Sequence, residues 1–116
     1  MTLARFYESL GGSLPAVLAR IPSEAMVRKF ARMYAGDTSC GELEAAVKAK
    51  DWQTAFLAAH TLKGVCLNLG FDKLYEVSSA LTEKLRGCQL VDYEELLRQV
   101  EEQYKMTTDV LKEYMG

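Results

Sequence analysis

From Ser23 to the C-terminal Gly116 the chain contains no proline; its two prolines, Pro15 and Pro22, both lie near the start. Across that stretch the apolar residues recur at steps of three and four. This spacing puts them on one face of a helix, and no run shows the strict alternation of a half-buried strand. Nothing there removes a backbone donor or blocks a helical turn, as a proline would. The pattern predicts packed helices, and 116 residues suit a single domain spanning 1–116.

Local signals divide the chain. TLARFYESLGG predicts a short first helix ended by Gly11 and Gly12. SLPAVLARI predicts a second, with Ser13 as cap and Pro15 in the first turn. Ser23 can cap the third, with Glu24 favourably placed in its first turn. That third segment carries Met26, Phe30, Met33, Cys40, Leu43 and Val47 on roughly one face. Gly36, Asp37 and Gly41 interrupt it, yet the apolar phase survives, which favours one long helix, straight or kinked, over two. Asp51 caps the next helix and Gly70 closes it through a left-handed C-cap.

FDKLYEVSSALTEKLRG follows as a helix with Leu74, Val77, Leu81 and Leu85 inward and Gly87 past its end. The last helix begins after Asp92. Its Tyr93, Leu97, Val100, Tyr104, Thr107, Leu111 and Tyr114 alternate steps of four and three, the spacing of a bundle seam. Short connections make neighbouring helices antiparallel. The expected fold is all-α: an up-and-down antiparallel four-helix bundle with short N-terminal helices packed on it. Four long helices can satisfy one another's apolar faces, so a monomer is expected.

Charge and cysteine usage narrow the function. The net charge of -2 supplies no basic footprint for nucleic acid and no polybasic membrane patch. No apolar run approaches the ~18–20 residues that span a bilayer. The N-terminus MTLARFYESL lacks the layout of a signal peptide. Cys40, Cys66 and Cys88 are scattered, odd in number and without a CxxC pair. That argues against a disulfide framework and for a reducing, cytoplasmic setting. With one histidine and no clustered cysteines, no intrinsic metal is expected.

That one histidine, His60, lies in AAHTLKGVCLNLGF. Winding residues 52–69 at about 100° per residue gathers Ala55, Ala58, Ala59, Leu62, Val65, Cys66 and Leu69 on one core face. His60 falls on the other side, near Gln53, Phe56, Leu57, Lys63, Gly64 and Leu67. Lys63 and Gly64 are its i+3 and i+4 neighbours. The helix is thus apolar on two sides. Phe56, Leu57 and Leu67 either pack beneath the N-terminal helices or form a docking patch. A glycine inside a helix costs roughly 0.5–1 kcal/mol relative to alanine. Its place beside the imidazole fits close approach by another molecule.

AHTLKGVCLNLG resembles the signature of histidine-containing phosphotransfer domains, a His-x-x-Lys-Gly helix with a closing glycine. The likeness extends through GDTSCGELEAAVKAKDWQTAFLAAHTLKG and covers roughly residues 10–115. Residues 65–68, VCLN, are bulkier than the small residues the family tends to place there. The resemblance implies that His60 is the phosphorylated nucleophile. It makes Lys63 the electrostatic helper of the phosphoryl group and Gly64 the residue that opens access. Gln53, Phe56, Leu57, Lys63 and Leu67 would then meet the partner. The partners it implies are receiver domains of response regulators, or a sensor histidine kinase, with Mg²⁺ supplied by the receiver's acidic pocket.

The residues suit that chemistry. Imidazole, with a reference pKa near ~6.5, keeps a neutral nucleophilic fraction at neutral pH. No acid lies at i±3 or i±4 of His60, so a Ser-His-Asp or Cys-His hydrolase is disfavoured. Neither GxxxxGK[ST] nor GxGxxG occurs, which predicts a carrier without autokinase activity, not an enzyme. The competing expectation is a helical interaction or scaffold module in which His60 is incidental.

Overall fold

The computed structural model describes residues 1–87 and 93–115. Among them are seven helices: α1 (Leu3–Ser9), α2 (Leu14–Leu18), α3 (Glu24–Ala35), α4 (Ser39–Lys48), α5 (Trp52–Leu69), α6 (Asp72–Arg86) and α7 (Tyr93–Met115). No strand occurs among the described residues. The four-helix bundle is α4 to α7, each packed on the next, with α5 also touching α3. The core joins Leu43, Leu62, Leu74, Leu81, Val100 and Leu111, all essentially inaccessible.

Three helix starts are fixed by residues that the sequence picks out. The Ser13 and Ser23 hydroxyls accept from the backbone N–H groups of Ala16 and Met26. The Asp51 carboxylate accepts from the Thr54 N–H at 3.2 Å and the Thr54 hydroxyl at 2.7 Å. Each satisfies a donor that the first helical turn leaves open. Asp92 and Cys88 lie outside the described residues.

The expected long third helix is two helices. The chain leaves helical geometry at Gly36 and restarts at Ser39. Asp37 drives the break: its carboxylate accepts from the Ser39 N–H at 3.1 Å and the Ser39 hydroxyl at 2.7 Å. The Tyr104 hydroxyl donates to the Asp37 carbonyl at 3.0 Å, tying the break to α7. In the sequence the apolar phase survives because Cys40 lies seven positions after Met33, the spacing of two helical turns. The face is also corrected: α3 buries Val27, Ala31 and Tyr34, while Met26 and Met33 are exposed and Phe30 is half-buried. Leu74, Leu81 and Leu85 of α6 face inward as expected, whereas Val77 is half-buried. On α7, Val100, Thr107 and Leu111 are buried and the seam's remaining residues, Tyr93, Leu97, Tyr104 and Tyr114, are half-buried.

Two turns set the direction of α5. Before it, the Asp51 N–H bonds to the Ala46 carbonyl and the Lys50 N–H to the Val47 carbonyl. That is a Schellman closure of α4, with Lys50 at φ 58° where glycine is usual. After it, Gly70 sits at φ 71°. A Cβ there would collide with Val17, so α2 seats directly on the turn. The Tyr7 hydroxyl donates to the Leu69 carbonyl at 2.7 Å, and Phe6, Tyr7 and Tyr34 pack edge or tilted against Phe71. The N-terminal helices therefore clamp the C-terminal end of α5 and leave its middle open.

Candidate functional site

Helix α5 is two-faced. Ala55, Ala58, Ala59, Leu62, Cys66 and Leu69 are buried, as the helical winding predicts. Val65 departs from that face: it is half-buried and lines a groove with Ile21, Phe30, Met33 and Tyr34. On the opposite side an exposed strip runs Gln53, Leu57, His60, Leu67. Leu57 is 57% and Leu67 46% exposed, so neither is core. The N-terminal helices do not cover them, which settles the choice between core and open surface for both. Phe56 is intermediate: half-buried, packed on the core edge, and in contact with the imidazole.

His60 is exposed, and its ring centroid lies 5.9 Å from that of Phe56, four residues earlier. Lys63 and Gly64 are half-buried beside it. A Cβ built on Gly64 meets nothing within 4 Å. The glycine is therefore not there for helix contact within the chain; it leaves space open on the imidazole strip. No carboxylate stands on α5 between residues 52 and 69.

The sequence gives no hint of a contact made from the next helix. The Arg86 guanidinium lies over the Phe56 ring, 4.9 Å from its centroid. Arg86 also pairs with Glu83 at 3.2 Å, both side chains more than half exposed. Residues 56 and 86 are thirty apart, so no helical spacing could have joined them; only the antiparallel packing of α6 on α5 does.

Other nucleophiles are poorly placed. Burial pushes the Cys40 thiol up to about 12 and raises the Cys66 thiol further, so neither is a ready thiolate. Among the described residues no group of three acids, cysteines or histidines could hold a metal ion. The groove beside Val65, about 500 Å³, does not include His60. No helix among the described residues is long and apolar enough to cross a membrane.

His60 is thus an exposed imidazole with a lysine one turn on, and among the described residues no hydrogen bond to its ring appears. The sequence model of the Hpt domain family matches residues 36–109, from the α3–α4 break into α7, with His60 inside. No curated protein and no solved structure matches significantly.

Proposed function

The chain belongs to the Hpt domain family, whose members are phosphocarrier modules of two-component signalling, and on that premise we propose that His60 is its phosphoryl-carrying residue. The observation that carries the assignment is the open strip of α5: the chain's one imidazole, exposed, beside Lys63 and an unfilled Gly64.

A ring nitrogen of neutral His60 attacks phosphorus of a receiver's aspartyl phosphate. The P–O bond to the aspartate breaks and its electron pair stays on the carboxylate. The proton on the other ring nitrogen stays in place, so the product is an imidazolium bearing a phosphoryl dianion. Charge in this transfer is spread over the equatorial oxygens, and positioning and electrostatics supply the catalysis. The Lys63 ammonium can reach those oxygens from one turn along α5. Gln53, Phe56, Leu57, Lys63 and Leu67 form the surface on which the receiver seats. Mg²⁺ comes with the receiver. The setting is cytoplasmic, and the chain, a single domain over 1–116, works as a monomer that passes the group to a second receiver or takes it from a sensor histidine kinase.

The test is to mix the protein with phosphorylated receiver domains and follow acid-labile, base-stable phosphate. Label is expected on wild type and absent from His60→Gln, which should fold normally because an exposed substitution is usually within about ±0.5 kcal/mol. Label retained on that variant refutes the assignment. Receiver binding without label would support the scaffold reading instead.

A further inference from the structure

Val65 is the residue of the α5 core face that the fold leaves half-buried, and the space beside it is the groove of about 500 Å³. Buried Ile21, Tyr34 and Leu69 line it with half-buried Phe30 and with Met33, which is 64% exposed. The groove exists because α3 turns Val27, Ala31 and Tyr34 inward. Phe30 and Met33, three residues apart on one strip of α3, are left to line the open side with Val65. Small-molecule sites have this make-up: a cleft of ~300–1,000 Å³, mostly apolar, with a few polar groups that fix orientation.

Two charged residues line the groove, Arg20 and Asp37, and they are not equivalent. The Asp37 carboxylate already accepts from the Ser39 N–H and hydroxyl, one bond on each oxygen. The exposed Arg20 guanidinium lies by the turn after α5, 3.5 Å from where a Cβ on Gly70 would stand. Among the described residues it meets no carboxylate and makes no hydrogen bond. Helix α3, one wall of the groove, carries Arg28, Lys29 and Arg32 against a single acid, Glu24. The local charge therefore favours an anion.

We infer that this groove binds a small apolar carboxylic acid, its hydrocarbon body against Phe30, Met33 and Val65 and its carboxylate on Arg20. A guanidinium fork matches a carboxylate with two parallel N–H bonds. A neutral ligand of the same shape leaves the fork unused, and a cationic one is repelled. Size argues for a small molecule over a second copy of the chain. Nine residues line the groove, against ~20–30 on each side of a stable protein interface. Val65 stands about 140° around α5 from His60, five residues on, and the groove does not include His60. The site does not depend on whether His60 carries phosphate.

The experiment titrates the ¹⁵N-labelled chain with octanoate, and with octanol and octylamine as charge controls. Amide shifts are expected at Phe30, Val65 and Leu69 and not at Leu57 or His60. Octanoate should bind with a Kd on the order of 1 mM, as a ligand of about ten non-hydrogen atoms can, and more tightly than either control. Arg20→Ala should weaken octanoate about fivefold, the upper range for an exposed ion pair, and leave octanol unchanged. Arg20→Glu should reverse the preference toward octylamine. Met33→Ala should weaken octanoate and octanol alike, by about fourfold or more, the worth of one buried methylene. Both positions are exposed, so the variants should melt like wild type.

No shift in the groove at about ten times the expected Kd overturns the assignment. So do shifts confined to Leu57 and Leu67, which would place the acid on the His60 strip. Octanol or octylamine binding wild type as tightly as octanoate removes the role of Arg20 and the acid with it, and this arm decides without any variant. Groove shifts that grow with protein concentration alone would mean a second copy occupies the groove, and also overturn it. Phosphate uptake on His60 stands or falls separately from every one of these results.

Discussion

Gly64 separates stability from transfer most cleanly. In a helix interior, glycine is ~0.8–1.0 kcal/mol worse than alanine. That gain is normally lost if the new Cβ meets a neighbour, but here it meets nothing within 4 Å. Gly64→Ala should therefore stabilise by up to ~1 kcal/mol. At about 2.1 cal/mol/K of unfolding entropy per residue, a chain of 116 residues should melt ~4 °C higher. Leucine is nearly as good a helix former, so Gly64→Leu should also melt at or above the wild-type temperature. Transfer should go the other way. Helical Cα–Cβ bonds tilt toward the N-terminus, so a side chain at i+4 leans toward His60. Leucine there fills the approach to the ring and should slow uptake from a phosphorylated receiver by ~10²-fold or more, since misplacement of about 1 Å can cost that much. Alanine should cost severalfold. Thermal melting and single-turnover transfer on the same preparations decide it. A Gly64→Leu variant that transfers at the wild-type rate would falsify the access role. Two variants that both melt lower would mean the glycine packs against something and the open space is not real.

Two further outcomes follow from exposure and charge. Leu57→Ala and Leu67→Ala should each weaken receiver binding, by ~1–2 kcal/mol if they are contact hot spots, while moving stability by less than ~0.5 kcal/mol; isothermal titration and urea unfolding measure the two, and a loss of ~2 kcal/mol or more in stability would place them in the core. Glu101 of α7 is pushed up to about 7, first by sharing a hydrogen bond with Glu44 and then by burial and by the Glu44 charge. Its unfolded value is ~4.3, so the folded state binds more protons between ~4.3 and 7, and stability falls as pH rises through that window. Glu101→Gln should flatten the dependence and raise the melting temperature at pH 8; an unchanged slope between pH 5 and pH 8 would show that the two carboxylates do not share a proton.

Much of the fold was legible because it is local. Caps at Ser13, Ser23 and Asp51 and the left-handed Gly70 depend on residues within a turn of one another. The core face of α5 follows from its winding, and Val65 alone strays. The error at residues 36–38 has a physical cause. Periodicity measures phase, and a break whose length preserves phase is invisible to it. The Asp37–Ser39 bonds that make the break are side-chain events in a short polar run. That His60, Lys63 and Gly64 lie together on the strip of α5 away from the core was legible because they share one helix. Arg86 was not, because its link to Phe56 exists only once α6 lies against α5.

On the proposed reading, the distribution of charge around α5 would let one helix serve both the bundle and the transfer. A carboxylate one turn from an imidazole favours the protonated, non-nucleophilic ring and repels an arriving phosphoryl group. The eighteen residues of α5 contain no acid at all, although the chain carries 16. The acids stand on other elements, many of them, such as Glu95, Glu102 and Asp109, in exposed pairs along α7. Stability, meanwhile, comes from the opposite face and from the clamp at Gly70, where Tyr7 and Val17 hold the helix end. The clamp lies nearly three turns beyond His60, since each turn takes about 3.6 residues. On the proposed reading, substitutions on the strip should therefore change partner and rate without touching what folds the chain. Substitutions at Gly70 or Tyr7 should instead shift α5 as a body and impair both together.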